Sequence, residues 1–508
     1  MHSAPQTLLG DLRIVIADLR EDGGLMSPSI YDTAQALRYS PPRHGLEQTI
    51  EWLLAQQRED GGWGDPSAPK TRDIPTIASL LALNLYQDVV PTANALEEGV
   101  AFLHEQVPYW DGPLSDDLPV GAELILPRLL EEANRQGLQI PTAQYGDLLA
   151  LGHRKRSQIA RLNPGAGTPA AFSWEAWGTD PDPSLLDESG GVGHNPAATA
   201  YWLSRARQRS DLAPEIALAQ SYLEKAAKAT RAGVPGVMPT AWPIDRYEQA
   251  FVLHTLLLAD LLDHPALEDV VQPQLQDLAA TVTSDGIGFS DYFTPDGDDT
   301  AAAVAALKGA GFPSELASLQ GFRQNGHFLG YHGELQGSHS LTARAIHALL
   351  LFEEDVTSLE HFLLERQQAD GRWLGDKWHT SWLYATLLAV FALKQSQPEN
   401  QRALALAAEA VQAAQNLDGG WGHNGISVIT DTAYGALALY VLRDHPDVRL
   451  HALKRAQCWL LDNYRPFEYH QAHSWLNKQQ YAPYRIDWGF ALSATLAPLA
   501  LDGGMISA

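Results

Sequence analysis

The chain has 508 residues, 45% of them hydrophobic and 19% charged, with a formal net charge of −26 at pH 7. This length exceeds the roughly 250–300 residues that one hydrophobic core serves, so we expect two domains. The strong negative charge argues against nucleic acid and anionic lipid surfaces as partners. The single cysteine, Cys458, excludes a disulfide within the chain, and we therefore expect a protein of the reducing cytoplasm.

The N-terminal segment and the general pattern of the chain indicate helices. Residues 1–22 contain acidic residues and lack a basic n-region, so they are interpreted as a helix and not as a signal peptide. No run of apolar residues approaches the roughly 18 that a membrane span needs. Apolar residues recur three and four positions apart in the stretches 216–229, 247–262, 341–352 and 403–414. Strand-like alternation is almost absent, and the patterns predict an all-α protein.

Three segments of the chain share one pattern, in which Gln stands four residues before Gly and six before Trp. They are residues 57–63, 367–373 and 415–421. Each follows an apolar run with helical spacing, so we expect the glycine to end a helix in a left-handed conformation and the tryptophan to pack back on the turn. The second and third copies start 48 residues apart. This spacing indicates stacked helical hairpins, in an α/α barrel or an open solenoid.

An acidic cluster precedes one of the predicted helices. Asp296, Asp298 and Asp299 stand immediately before the helix-forming run 301–307. Aspartates at a helix start commonly cap backbone N–H groups and complement the helix dipole. Carboxyl groups that share one site also raise one another's pKa, which an acid needs in order to stay protonated near neutral pH. Since the helix dipole opposes protonation, burial and neighbouring groups would have to outweigh it.

The Asp-x-Asp-Asp spacing of residues 296–299, taken with the three Gln-Gly-Trp segments, resembles the class II, protonation-initiated terpene cyclases, the superfamily of squalene-hopene cyclases and copalyl diphosphate synthases. Five further segments resemble stretches of the same group: 27–34 (SPSIYDTA), 121–127 (GAELILP), 195–200 (NPAATA), 243–248 (PIDRYE) and 475–483 (WLNKQQYAP). Their order extends the resemblance over most of the chain.

The resemblance implies a fold and a domain organisation, those of a bacterial stand-alone βγ cyclase. It implies an all-α protein of two α/α-barrel domains. The β domain would comprise residues 1–21 plus 232–508, and the inserted γ domain residues 22–231. The substrate pocket would lie between the two domains.

The resemblance also implies roles for individual residues. Asp298, the middle acid, corresponds to the proton donor, and Asp296 and Asp299 support it by hydrogen bonding. Aromatic faces stabilise the carbocations formed after protonation, by about 0.5–2 kcal/mol each. The candidates for such contacts are Trp378, Trp382, Tyr384, Tyr331 and Trp475. The candidates for a partner of the acid or a terminating base are His339, His347 and His254, for each of which a structural role is the alternative.

The implied activity is the cyclisation of a linear, hydrophobic polyprenyl substrate through carbocations to a fused polycycle. A C15 or C20 prenyl diphosphate, giving a drimane-type or copalyl/labdane-type product, is the favoured substrate. A farnesylated aromatic acid, giving a meroterpenoid as in the merosterolic acid synthases, is the alternative. A squalene cyclase and a non-catalytic helical-repeat binding protein are less favoured. The DDxxD motif of the ionising, class I cyclases is missing.

Several charged residues are candidates for holding the head group of such a substrate. Basic side chains would neutralise a diphosphate or a carboxylate equally well. The candidates are Lys377, Lys478, Arg485 and Arg43. For a diphosphate substrate the resemblance implies Mg²⁺ near an acidic stretch in which only two acids remain. The candidate ligands are Asp116, Asp117 and Glu123, and with any other substrate no cofactor is expected.

Overall fold

The computed structural model of the protein describes residues 5–112, 114, 118–162, 164–332, 334, 337–396, 400–469 and 473–501. Helices dominate this part of the chain, and its strands form three antiparallel hairpins with two residues per strand. The prediction of an all-α protein is confirmed.

The α-helices are α1 (Pro5–Ala17), α2 (Ile30–Tyr39), α3 (Leu46–Ala55), α4 (Asp73–Leu85), α5 (Ala93–Glu105), α6 (Ala122–Arg135), α7 (Gly146–Leu162), α8 (Trp174–Trp177), α9 (Pro196–Ala206), α10 (Ala213–Ala229), α11 (Asp245–Leu258), α12 (Glu268–Thr281), α13 (Gly297–Gly309), α14 (Ala317–Gln320), α15 (His339–Leu351), α16 (Thr357–Leu364), α17 (Trp382–Ser396), α18 (Gln401–Ala413), α19 (Ile429–Val441), α20 (Leu450–Asn463) and α21 (Tyr484–Leu501). The strands are β1 (Arg323–Gln324), β2 (His327–Phe328), β3 (Gly422–His423), β4 (Ile426–Ser427), β5 (Trp475–Leu476) and β6 (Gln480–Tyr481). Short 3₁₀ helices cover Glu21–Gly23, Pro69–Arg72, Val107–Trp110, Ala143–Tyr145, Ala171–Ser173, Pro183–Leu185, Ser210–Leu212 and Pro265–Leu267.

The helices form where the sequence carries apolar residues at helical spacing. The four predicted runs correspond to α10, α11, α15 and α18. Helix α11 ends at Leu258, before the predicted end at residue 262. The reason is local, because Asp260 adopts a left-handed conformation with a φ of 55° that a right-handed helix cannot contain.

Six helices of the C-terminal half form a closed ring. Helices α11, α13, α15, α17, α19 and α21 contact one another in that order, and α21 returns to contact α11. Helices α12, α16, α18 and α20 pack against members of this ring and are more exposed than they are. Helix α1, from the N-terminus, packs on α12 and α21. This is the arrangement of an α/α barrel.

A second ring lies in the N-terminal half. Helices α2, α4, α6, α8 and α9 contact one another in order, and α9 returns to contact α2, while α3, α5, α7 and α10 pack against them. The predicted architecture of two α/α barrels is confirmed for the described residues. The domain boundaries after residues 21 and 231 stay a prediction. No described helix is both long enough and apolar enough to cross a membrane.

The three Gln-Gly-Trp segments have one common structure, and the predicted packing of their tryptophans is confirmed. Each Trp Nε1 donates at 2.8 Å to a carbonyl of the preceding helix, at Leu53, Leu363 and Val411. Each Gln side chain donates to the carbonyl of its own segment's glycine and to a carbonyl of the next helix but one, at Ala95 in α5, Ala403 in α18 and Ala452 in α20. The segments therefore join neighbouring outer helices of the barrels, α3 with α5, α16 with α18 and α18 with α20.

The prediction that the glycine of each segment ends the preceding helix is wrong, although its left-handed conformation is confirmed. Gly61, Gly371 and Gly419 have positive φ values of 84°, 93° and 103°, but the preceding helices end six or seven residues earlier, at Ala55, Leu364 and Ala413. The glycine is required by the close approach of the neighbouring outer helix instead. A Cβ at these three positions would lie 2.5, 2.2 and 2.8 Å from a carbonyl oxygen of α5, α18 and α20, respectively.

Candidate active site

The acidic cluster forms the start of helix α13. Asp296 is the N-cap, and its Oδ1 accepts hydrogen bonds from the backbone N–H groups of Asp298 and Asp299, both at 2.9 Å. Gly297 allows this helix start to approach the neighbouring chain, because a Cβ there would lie 2.3 Å from the carbonyl oxygen of Leu329. Asp296 therefore fulfils the ordinary capping role of an aspartate while it orders the two other acids.

The surroundings of the cluster favour protonated carboxyl groups. Burial is the largest influence on all three and raises the pKa of Asp296, Asp298 and Asp299. The neighbouring carboxyl of Asp296 further raises the pKa of Asp299, which lies well above its usual range. At Asp298 the positive charge of the Arg344 guanidinium lowers the pKa and so opposes the effect of burial. At Asp296, burial thus outweighs the backbone hydrogen bonds of the helix start, which lower the pKa.

The three acids border one cavity. Its walls are mostly aromatic, and the aromatic residues that line it are Tyr247, Phe251, Phe289, Tyr331, Trp378, Trp475 and Tyr481. The acids differ in how much surface they present. Asp296 and Asp299 are 4% and 1% exposed, whereas the side chain of Asp298 is 16% exposed. Asp298 is therefore the acid best placed to meet a molecule in the cavity.

Arg344, which the sequence analysis did not single out, contacts Asp298 directly. Its Nη1 donates to Oδ1 of Asp298, and its Nη2 donates to the hydroxyl of Tyr384. Its guanidinium lies 4.2 Å from the centroid of the Phe251 ring. The signal that would have revealed it is an arginine inside the apolar helical run 341–352, since a buried charge needs a partner.

Asp376 is a second acid near the cluster that the sequence analysis missed. Its Oδ2 accepts hydrogen bonds from the hydroxyls of Ser338 and Ser340, at 2.6 and 2.7 Å. Burial raises the pKa of Asp376, but the nearby His339 and the two hydroxyls lower it by more than burial raises it. The net result is a pKa of about 2. Asp376 therefore stays ionised. It also holds the loop that precedes Trp378, because the backbone N–H of Trp378 donates to Asp376 Oδ1.

The structure brings three of the five aromatic candidates to the cavity. Tyr331, Trp378 and Trp475 line it. Tyr384 lies behind that wall, where its ring centroid is 5.1 Å from that of Trp475. Trp382 is not part of the lining, and its ring lies 5.4 Å from the guanidinium of Arg372. Four further lining residues escaped the sequence analysis because they come from separate elements: Tyr247, Phe251, Phe289 and Tyr481.

None of the three candidate histidines lines the cavity in the part of the chain that the structure describes. His339 bonds through Nε2 to the carbonyl of Leu374 at 2.6 Å. His254 and His347 face each other, with His347 Nδ1 3.4 Å from His254 Nε2. Burial, helped by the charge of Arg344, lowers the pKa of both, that of His347 to about 3. These two rings are therefore neutral and form part of the core.

The four basic candidates for a head-group site are not gathered at the cavity either. Lys478 is buried and donates to Glu175 at 2.6 Å and to Asn195 at 2.8 Å. The remaining three have other partners: Arg485 pairs with Glu248 at 2.7 Å, Lys377 with Glu334 at 2.6 Å, and Arg43 bonds to Gln220 at 2.7 Å on the surface. An ion can be buried only with such partners, which explains the pairing of the buried Lys478 and Arg485.

Three of the motif segments instead meet in one buried polar network. Asp32 of segment 27–34 accepts a hydrogen bond from Asn195 of segment 195–200 at 2.7 Å, and Asn195 accepts one from Lys478 of segment 475–483 at 2.8 Å. This network fixes the β5–β6 hairpin, whose residues Trp475 and Tyr481 line the cavity. The motifs therefore shape the cavity wall from outside.

The expected pocket between the domains is only partly matched. All described lining residues belong to the stretch 247–481 of the C-terminal half. The N-terminal half also contacts the wall, where the backbone N–H of Val120 donates to the carbonyl of Asn477 at 2.8 Å. Asn477 is itself part of the lining.

The candidate magnesium ligands do not form a site among the described residues. Asp116 and Asp117 lie outside those residues. Glu123 accepts a hydrogen bond from Lys155 at 2.6 Å and forms an ion pair with it. The described part of the chain contains no group of three or more His, Cys, Asp or Glu side chains arranged to hold a metal ion. The residues that the structure describes therefore do not fit a magnesium site.

Comparison with known proteins places these features in a family context. Residues 336–435 match the family model of the squalene-hopene cyclase C-terminal domain. The chain is 48% identical to (+)-kolavenyl diphosphate synthase of Herpetosiphon aurantiacus, over 96% of this chain and 97% of that protein. It is 31% identical to labda-7,13-dienyl diphosphate synthase of Streptomyces clavuligerus, over 84% and 81%. Its structure resembles that of ent-copalyl diphosphate synthase from Streptomyces platensis, with a TM-score of 0.80 and 28% identity over 98% of this chain and 100% of that chain.

Proposed function

The chain belongs to the class II terpene cyclases, the superfamily of squalene-hopene cyclases and copalyl diphosphate synthases, and from this premise we propose that it cyclises geranylgeranyl diphosphate, a C20 prenyl diphosphate, to a bicyclic diterpenoid diphosphate. The names of the relatives support this substrate class, since they are kolavenyl, labdadienyl and copalyl diphosphate synthases. Farnesyl diphosphate, the C15 homologue, is the second substrate to test.

The proposed reaction begins with proton transfer from Asp298 to the terminal alkene. The π-electron pair of the alkene forms the new C–H bond, the electrons of the O–H bond stay on Asp298 as a carboxylate, and a tertiary carbocation remains. Two further alkenes attack in turn and close two rings. Transfer of a proton from the last cation to water leaves a new alkene, and Asp298 regains a proton from the solvent. The product is therefore an isomer of the substrate and keeps its diphosphate.

The single observation that carries the assignment of the acid is the position of Asp298. Of the three acids that border the aromatic cavity it has the most exposed surface, and burial raises its pKa. An acid that must protonate an alkene has to be protonated at neutral pH and within contact of the substrate. Asp296 and Asp299 support it, because carboxyl groups that crowd one site favour the protonated form.

The aromatic walls are proposed to stabilise the cations that follow. Tyr331, Trp378 and Trp475 present ring faces or edges to the cavity together with Phe251 and Tyr247. Each ring face attracts a cation by about 0.5–2 kcal/mol, and more where water is excluded. The aromatic rings themselves carry no strong base that would remove a proton from an early cation.

The proposal assigns the diphosphate no binding residue among the basic candidates. Lys478 and Arg485 are held in buried ion pairs, and Arg43 bonds to a surface glutamine. A role for Mg²⁺ is likewise outside the proposal, because Glu123 is already paired with Lys155.

We also propose the division of the chain into a β domain, residues 1–21 plus 232–508, and an inserted γ domain, residues 22–231. The packing of α1 on α12 and α21 supports it, since this helix joins the C-terminal barrel across the whole intervening stretch. The single cysteine supports the cytoplasm as the proposed location.

The test incubates the purified protein with geranylgeranyl diphosphate, farnesyl diphosphate and a farnesylated dihydroxybenzoic acid, each with and without Mg²⁺. Products are identified by mass spectrometry, after phosphatase treatment for the diphosphates. We expect a bicyclic isomer from geranylgeranyl diphosphate, and a loss of at least about 1,000-fold in Asp298→Asn, within the range that general acids contribute. Turnover of the aromatic acid alone would replace the proposal by a meroterpenoid cyclase.

The matched control is Asp73→Asn. Asp73 is also a buried aspartate at a helix start, where it accepts hydrogen bonds from Trp110 and Tyr145, both at 2.7 Å, but it belongs to the other barrel. We expect this variant to retain cyclisation. If Asp298→Asn cyclised geranylgeranyl diphosphate as fast as Asp73→Asn, the assignment of the acid would be wrong.

A further inference from the structure

Arg344 is a buried cation in contact with the proposed proton donor. It lies on α15 and is 1% exposed. One arm of its guanidinium donates to Asp298 and the other to the hydroxyl of Tyr384, while its face lies 4.2 Å from the centroid of the Phe251 ring. These contacts fix the plane of the guanidinium and, through it, the orientation of the Asp298 carboxyl group.

The two oxygens of Asp298 have different surroundings. Oδ1 accepts the hydrogen bond from Arg344, and none of the described residues donates a hydrogen bond to Oδ2. Arginine has only N–H donors and keeps its proton in proteins, so Oδ1 must act as an acceptor. The acidic proton of Asp298 is therefore carried by Oδ2. The Asp298 side chain is partly exposed and lines the cavity.

The charge of Arg344 also affects the strength of the acid. Burial raises the pKa of Asp298 and keeps it protonated, whereas the guanidinium stabilises the carboxylate that proton transfer leaves behind. Burial and the charge of Arg344 keep the nearby His254 and His347 neutral. An arginine keeps its charge throughout the reaction.

We propose that Arg344 is the positioning residue of the acid: it holds Oδ1 of Asp298, so that the proton on Oδ2 points into the cavity, and it stabilises the carboxylate formed when that proton is transferred to the alkene. The inference rests on the proposed role of Asp298. It assigns to an arginine the partnership with the acid that the sequence analysis expected of a histidine.

The test is the pH dependence of kcat in wild type and Arg344→Gln. Activity falls as the pH rises through the pKa of the donor, because only the protonated acid reacts. Removal of the positive charge raises that pKa, so the alkaline limb should move up by at least about one unit. The same change makes the acid weaker, so the plateau value of kcat should fall about 100-fold, while KM changes less than about threefold.

Other titratable or charged groups face Asp298 and are unchanged in this variant. They are Asp296 and Asp299 on its own element, Asp376 and Lys377 on the loop before α17, and Tyr384 on α17, with the neutral His254 and His347 behind Arg344. The shift of the alkaline limb therefore reports the arginine. A merely structural role would lower activity and leave the limb in place, and that result would overturn the inference.

A second variant covers the case in which Arg344→Gln does not fold. Arg344→Lys keeps the charge but offers a point charge in place of the planar fork that bonds to both Asp298 and Tyr384. We expect its alkaline limb to stay within about 0.5 unit of wild type, and its kcat to lie between those of wild type and Arg344→Gln. A limb that moves up in Arg344→Lys would contradict the electrostatic role.

The matched control is Arg38→Gln. Arg38 is a similarly buried arginine, paired with Glu132 in the N-terminal barrel, and its loss should leave the pH profile unchanged. The outcomes separate this inference from the function on which it rests. Absence of cyclisation by wild type would refute the proposed function, whereas an active wild type, an inactive Asp298→Asn and an unaltered Arg344→Gln would refute the role of Arg344 alone.

Discussion

The C-terminal barrel buries the carboxyl groups of Asp296, Asp298 and Asp299, and the N-terminal barrel buries those of Asp32 and Glu175. Both groups lie at or near helix starts. Burial raises the pKa of Asp32 to about 6, and it raises that of Asp298 as well. Burial and an elevated pKa are therefore common to a cluster with a proposed catalytic role and to one without.

The partners of the two groups differ. Asp32 receives hydrogen bonds from the Ser29 hydroxyl at 2.5 Å and from the Asn195 amide at 2.7 Å, one on each carboxyl oxygen. Glu175 pairs with Lys478, which has no exposed side chain. These carboxyl oxygens face the protein and serve to join segments that are far apart in the sequence.

Asp298, by contrast, has a strong partner on one side only. Arg344 contacts Oδ1, and the exposed surface of the side chain faces an aromatic cavity. Burial as such therefore does not distinguish an acid that can react from an acid that stabilises the fold. The distinguishing feature is access to a cavity with few other polar groups.

The largest expected effect concerns the N-terminal cluster. Lys478→Met leaves Glu175 buried without its cation, and breaking such a pair lowers the free energy of unfolding by about 3–5 kcal/mol. Urea unfolding followed by circular dichroism measures this loss. Lys155→Met is the control, because its partner Glu123 is paired at a site where the lysine is 42% exposed and the cost should be below about 1 kcal/mol. A stable Lys478→Met protein with a tenfold higher KM would make Lys478 a head-group ligand after all.

The second prediction compares the supporting acid with its counterpart. Asp299→Asn removes a carboxyl that shares the protonated site of Asp296, and we expect kcat to fall about 100-fold. Asp32→Asn should reduce kcat less than about threefold and act on stability instead, by about 2 kcal/mol. Steady-state turnover and thermal unfolding of both variants check the contrast. If Asp299→Asn were inactive while Asp298→Asn retained cyclisation, the proton donor would be Asp299.

The parts of this molecule that the sequence predicted are those with local signals. Helical spacing of apolar residues predicted α10, α15 and α18, and three acids before an apolar run predicted the start of α13. The Gln-Gly-Trp segments predicted the packing of their tryptophans, because each Trp contacts the helix just before it. Such contacts depend on neighbours within about ten residues and are readable without the fold.

The partners across the fold were not predictable in this way. Lys478 and Glu175 are 303 residues apart in the sequence, so nothing near Lys478 reveals that its charge is already neutralised. Arg344 is 46 residues from Asp298, and Phe251 and Tyr481 reach the cavity from elements even farther apart. The head-group candidates failed for this reason, while the acid cluster, defined by adjacent residues, was found.

The smallest expected effect distinguishes two tryptophans that the sequence made equivalent. Trp378 lines the cavity, whereas Trp382, four residues later and similarly half-buried, lies against Arg372 outside it. If the wall stabilises cations through ring faces, Trp378→Leu should lower kcat about tenfold, within the range of one cation–π contact, and increase the share of products from earlier cations. Trp382→Leu should change neither. Gas chromatography of dephosphorylated products measures both quantities. Equal effects of the two substitutions would mean that Trp378 acts through packing, since only a contact inside the cavity can favour a later cation over an earlier one.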